Sequence, residues 1–115
     1  MTPRAWRILV IEGDAEIRGM VEDLLFDEGF EVCKAKDADS ALLELIENSF
    51  DVLLCNLSLL RLEDGRLSRH VHKLKPTPRV VAMSASGAQA RSDEANGNLP
   101  KPFTRAQLLE AIRPR

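Results

Sequence analysis

The chain has 115 residues with 16 basic and 18 acidic side chains, a formal net charge of −2 and 44% hydrophobic residues. That is the length and composition of one globular domain able to enclose a core. No apolar run approaches the ~20 residues of a membrane-spanning helix, and residues 1–7 lack the apolar region of a secretory signal, so a single cytoplasmic domain over residues 1–115 is expected.

Cys33 and Cys55 both fall in predicted buried strands and read as reduced core thiols. Charge is unevenly spread: residues 1–64 hold 15 acids and 6 bases, whereas residues 65–115 hold 3 acids and 10 bases. A polarised surface can steer an oppositely charged partner, and two solvated faces that happen to differ give the same count.

In chain order, Arg7 to Ile11 predicts a first strand, followed by a turn at Glu12-Gly13-Asp14 with Asp14 as helix N-cap. Ile17, Met20, Val21, Leu24 and Leu25 then form one apolar helical stripe, which Gly29 ends. Phe30 to Ala35 is the second strand. Asp37 or Asp39 caps a second helix whose Ala41, Leu42, Leu45 and Ile46 are expected to face inward. The run Val52 to Cys55, ended by Asn56, suits a strand buried on both faces. A loop with Asp64-Gly65 as its turn signal follows. The third helix is predicted from about Asp64, burying Leu67, Val71 and Leu74 before Pro76 and Pro78.

Arg79 to Met83 is the fourth strand. Ser84 to Gly97 is rich in Ala, Ser, Gly and charge; its only apolar side chains are alanines, so a helix there would be short and loosely packed. Asn98 to Pro100 makes a weak fifth strand. Thr104 and Gln107 then form a capping box before a helix carrying Leu108, Leu109 and Ile112. Strands alternating with helices predict a parallel sheet covered on both faces, with its chemistry at the carboxyl edge of the strands.

That edge receives Glu12-Gly13, Asn56, Ser84 and Lys101. The segments ILVIEGDAEIR (Ile8 to Arg18), DVLLCNL (Asp51 to Leu57), VVAMSA (Val80 to Ala85) and LPKPF (Leu99 to Phe103) resemble the motifs of response-regulator receiver domains, the CheY-like family of two-component phosphorelay signalling. The resemblance implies a flavodoxin-like doubly wound five-stranded sheet of order 2-1-3-4-5 and a Lys101-Pro102 cis bond.

It also implies a phosphorylation site. In the family, two acids after the first strand and an acceptor aspartate hold Mg²⁺, together with a backbone carbonyl that falls here on Ser58. A lysine pairs with the phosphoryl group, a Ser or Thr hydrogen-bonds it, and an aromatic side chain on the fifth strand reports the state. Position by position, Glu12 matches the first acid, Gly13 stands at the second, Asn56 at the acceptor, Ser84 at the hydroxyl, Lys101 at the lysine and Asn98 at the switch aromatic. A carboxamide is neutral and a poor nucleophile, so Asn56 cannot form the acyl phosphate. With Glu12, an amide oxygen and the Ser58 carbonyl as residual ligands, Mg²⁺ binding is expected to be weak or absent.

The expectation is therefore a degenerate receiver, or pseudo-receiver, with no catalytic residues. An internal Glu12–Lys101 pair and Asn56 hydrogen bonds would lock it, and it would work by protein docking. Its partners would be a histidine kinase, response regulator or effector, or a second copy in a homodimer. Two other readings stay open: a phosphoryl acceptor at Ser58, Ser84 or Asp14, and a small-molecule module using the altered pocket. His70 and His72 do not share a helix face, so no metal pair is expected. Arg66, Arg69, Lys73, Lys75 and Arg79 read as a solvated face, since no nucleic-acid motif accompanies them.

Overall fold

The computed structural model describes residues 5–85 and 87–113. Among these the order is β1 (Arg7–Ile11), α1 (Ala15–Asp27), β2 (Glu31–Ala35), α2 (Ala38–Glu47), β3 (Val52–Asn56), α3 (Leu57–His72), β4 (Arg79–Ser84), β5 (Gly97–Pro100) and α4 (Arg105–Ile112). The five strands form one sheet, β2-β1-β3-β4-β5, with every neighbouring pair parallel.

Alternation along the strands feeds two cores. Leu9, Ile11, Leu53, Cys55, Val80 and Ala82 face α2 and α3, where they meet Ala41, Leu45, Leu60, Leu67 and Val71. Ile8, Val10, Leu54, Val81, Met83 and Leu99 face α1 and α4, where they meet Val21, Leu25, Leu108 and Ile112. The central strands are thus apolar on both faces, which is why β3 reads as an unbroken apolar run.

Local signals set the helix ends. Asp14 Oδ1 accepts from the N–H groups of Glu16 (2.9 Å) and Ile17 (3.2 Å). Asp37, rather than Asp39, caps α2, with Ser40 completing a capping box, and Thr104 with Gln107 caps α4. At the end of α1, Gly29 takes φ +90°, and the Phe30 N–H reaches back to the Leu25 carbonyl at 3.2 Å.

Several expectations are corrected. Ile46 is 70% exposed rather than inward, and Met20 is 46% exposed. α2 is a short helix of ten residues, and its buried stripe is only Ala38, Ala41 and Leu45. Cys33 is partly exposed; it lies on the edge strand β2, whose flank has only one neighbouring strand. Leu74, partly buried, lies beyond the end of α3.

The third helix begins not at Asp64 but directly after β3. Leu57 to Arg61 form a helical turn, and then Glu63 (φ 52°), Asp64 (φ 57°) and Gly65 (φ 79°) make a left-handed break before the helix resumes. Left-handed geometry costs roughly 1–2 kcal/mol for each non-glycine residue. Arg66 pairs with Glu63 at 3.2 Å, and Arg69 donates to the Asp64 carbonyl, which hold the break in place.

No helix forms between β4 and β5 among the described residues. Ala88, Ala90 and Ala95 pack on the α2–α3 core, and Glu94 pins the segment through Arg61.

These burials separate the two faces of α2. Leu45→Ala is expected to cost about 2–5 kcal/mol in urea denaturation. Ile46→Ser should stay within about 0.5 kcal/mol of the parent.

Candidate functional site

Parallel register brings the carboxyl ends of the strands level, with Ile11 opposite Cys55, Asn56 opposite Met83 and Ser84 opposite Pro100. Glu12, Asn56, Ser84 and Lys101 therefore emerge along one edge of the sheet.

Glu12 is 2% exposed. Its Oε1 accepts from Lys101 Nζ at 2.7 Å and from Asn56 Nδ2 at 3.2 Å, while its Oε2 accepts from the Asp14 N–H at 3.0 Å. Burial alone would push this carboxyl's pKa up. The Asp14 N–H, Lys101 and Asn56 together outweigh it, and the group is held below the ordinary glutamate value.

Asn56 is committed at both ends of its amide. The NH₂ donates to Glu12, and Oδ1 accepts the Ser58 N–H at 2.9 Å, capping the first turn of α3. A carboxylate here would keep the cap but set a second negative charge against Glu12. The amide supplies a donor instead, and it does so without a metal.

Gly13 is exposed, and a Cβ on it would meet only the Lys36 carbonyl, at 3.6 Å. A side chain at this position would thus find space. Asp14 is turned to its capping role. Arg18, which sequence reasoning passed over, donates from Nη1 to the Glu12 carbonyl at 2.8 Å and so ties α1 to this loop.

Ser84 is 2% exposed, and its hydroxyl donates to Asn98 Oδ1 at 3.0 Å. The structure therefore makes one cluster of Glu12, Asn56 and Lys101, flanked by Gly13 and the Ser58 N–H. Ser84 and Asn98 form a second pair beside it.

The donor set does not fit a divalent cation of the magnesium type, which wants several free oxygen ligands. One carboxylate is present, both its oxygens already accept hydrogen bonds, and the amide oxygen of Asn56 is taken by the Ser58 N–H. Among the described residues no group of three or more His, Cys, Asp or Glu side chains could hold a metal. The Cys55 thiol beneath the site is pushed up in pKa by burial and by the Glu12 charge, which keeps it protonated.

A further cluster of three charged residues escaped the sequence. Glu94, 7% exposed, accepts from Arg61 Nε at 2.7 Å and from Arg91 Nε at 2.8 Å. Of the basic residues singled out earlier, Arg66 pairs with Asp39 and Glu63, and Arg79 donates to the Ala111 carbonyl at 3.0 Å.

A family model described as "Response regulator receiver domain" matches residues 8–113. The chain belongs to the response-regulator receiver domains. This receiver is 30% identical over 112 residues to the transcriptional regulatory protein CpxR of Escherichia coli, a match covering 93% of the chain and 47% of CpxR. It is 27% identical over 114 residues to the chemotaxis protein CheY of Bacillus subtilis, covering 94% of the chain and 95% of CheY. The chain thus spans about half the length of the CpxR-type relatives it matches and nearly all of CheY. Among solved structures it resembles a receiver domain protein from Clostridium thermocellum, with TM-score 0.81 and 28% identity over 93% of this chain and 90% of that one. NtrX from Brucella abortus, solved in complex with ADP, gives TM-score 0.81 and 30% identity over 93% of this receiver and 25% of that chain. Receivers of this family are signalling modules that work with kinases and effector domains. In this one, no helix of the described residues is long and apolar enough to cross a membrane.

The lowered Glu12 pKa fixes a pH dependence. A carboxyl whose folded pKa lies below its unfolded value of about 4.3 adds stability above that value, and this stability is lost as pH falls through the folded pKa. Denaturation between pH 7 and pH 3 should show stability dropping from just above pH 4 downward, and Glu12→Gln should flatten that drop. Lys101→Met, which leaves Glu12 without its cation, should cost about 2–4 kcal/mol at pH 7.

Proposed function

We propose that this receiver is a degenerate one, a pseudo-receiver of a two-component pathway that docks to its partner without aspartyl phosphorylation. The single observation behind this reading is the Asn56 amide. It replaces the acceptor carboxylate, and its two ends are spent on Glu12 and on the Ser58 N–H. Lys101, the family's phosphoryl-binding lysine, already neutralises Glu12 at 2.7 Å. The site thus carries its own counter-charge and needs neither Mg²⁺ nor a phosphoryl group for its balance. Ser84, whose hydroxyl is given to Asn98, is not poised as a substitute acceptor. We read the domain as a signalling module and not as an enzyme.

The docking partner is a histidine kinase, a response regulator or an effector, or a second copy of the domain. Helix α1 supports a docking role: Met20 (46%) and Phe26 (72%) are exposed on it. Glu16, Asp23 and Asp27 on the same helix are exposed as well. A cytoplasmic setting follows from this role.

The test is a two-dimensional amide NMR titration with Mg²⁺ and then beryllofluoride, paired with intact mass after acetyl phosphate. No saturable shift at Glu12, Asn56, Ser84 or Lys101 and no mass gain are expected. The double variant Gly13→Asp/Asn56→Asp should gain Mg²⁺-dependent shifts at the same positions. Saturable shifts in the parent chain that spread to α4, or a stable phosphoryl mass on Ser58, Ser84 or Asp14, would sink the proposal.

A further inference from the structure

The place between β4 and β5 where the described residues form no helix holds an open cleft of about 680 Å³, walled by α3 on one side and by residues 91–94 on the other. Its most buried charge is Glu94, gripped by two guanidinium groups. Arg61 offers Nε to Oε2 at 2.7 Å and Nη2 to Oε1 at 3.2 Å, and Arg91 offers Nε to Oε1 at 2.8 Å. The same Arg61 Nη2 also donates to the Gln89 carbonyl at 2.8 Å. A third guanidinium, Arg69, and the imidazole of His72 line the α3 wall. Arg69 donates to the Asp64 carbonyl, and His72 Nδ1 lies 2.7 Å from the Ser68 carbonyl.

We propose that this cleft is a binding site for a phosphate-class dianion, a phosphomonoester or diphosphate group, which displaces Glu94 from the arginine clasp. Planar guanidinium forks match carboxylate and phosphate oxygens equally well in shape. Glu94 has the advantage of being tethered, so its effective concentration at Arg61 is high. A single carboxylate from solution gains nothing against it. A dianion with three oxygens does, because it engages Arg61 and Arg91 together with more charge than Glu94 carries, and Arg69 lies on the same wall. Asp64 and Asp93, exposed at the rim, oppose the ligand and keep its affinity moderate.

Occupancy and local structure are then coupled. Residues 88–96 bring only Ala88, Ala90 and Ala95 to the core, and Asn96 is fixed to Val80 by two hydrogen bonds, so the stretch before Asn96 is the part that depends on Glu94. Anion binding therefore releases Glu94 from α3 while the anion itself holds Arg91, so the strap exchanges one anchor for another, and anything that releases Glu94 favours anion binding by the same factor.

The experiment is an amide NMR titration of the full chain with inorganic pyrophosphate and, separately, with a phosphoserine peptide, using acetate as control. Saturable shifts at Arg61, Arg91 and Glu94 with pyrophosphate and none with acetate are expected. Glu94→Gln removes the internal competitor and should tighten pyrophosphate binding about tenfold. Arg61→Ala should abolish it, and Arg91→Ala, at an exposed position, should weaken it. Tighter binding of the peptide assigns the anion to a modified protein, and tighter binding of pyrophosphate assigns it to a free diphosphate. Unchanged or weaker binding in Glu94→Gln, or no shifts at the clasp, overturns the proposal.

Discussion

A carboxylate almost without solvent at the end of a buried strand must find charge and hydrogen-bond donors, or it takes up a proton and loses its charge. Glu12 is that group, and the carboxyl edge of the sheet is arranged around it. Lys101 reaches it from the end of β5, Asn56 from the end of β3, and the Asp14 N–H from the head of α1. The ends of three strands and the start of one helix are thus joined through two oxygen atoms. In a receiver with two more carboxylates here, repulsion would call for an external cation. With Gly13 and Asn56 at this edge the joint closes on internal groups.

Much of this could be read from the residues. The doubly buried strands announce themselves as apolar runs, and the caps at Asp14, Asp37 and Thr104 use local chemistry within three positions. The site residues follow because parallel topology forces strand ends to one edge. What failed to show has separate causes. Ile46 belongs to a good helical stripe, but α2 buries only Ala38, Ala41 and Leu45 of it, so periodicity overstates the apolar face. The turn Leu57 to Arg61 looks like loop because its cap is Asn56, a residue whose more obvious meaning is chemical. Glu94 and Arg61 are 33 positions apart, and nothing in either one's neighbourhood announces the other.

The segment between β4 and β5 shows how a fold survives losing an apolar element. A helix with large side chains would seal this flank by area. Three alanines cannot, and the burden passes to one carboxylate between two arginines. Such a contact is directional and competes with solvent ions, whereas apolar packing does neither. The flank is therefore the part of the molecule most open to chemical conditions, although it lies against the same core as α2 and α3.

The left-handed break at Glu63 to Gly65 has a mechanical meaning. An unbroken helix carries rotation and translation from one end to the other as a rod. Here the short turn beside Asn56 and the longer arm ending at His72 are joined by three residues that wind the opposite way. The turn beside Asn56 and the arm beyond it are therefore two helical pieces with separate directions, not one rod.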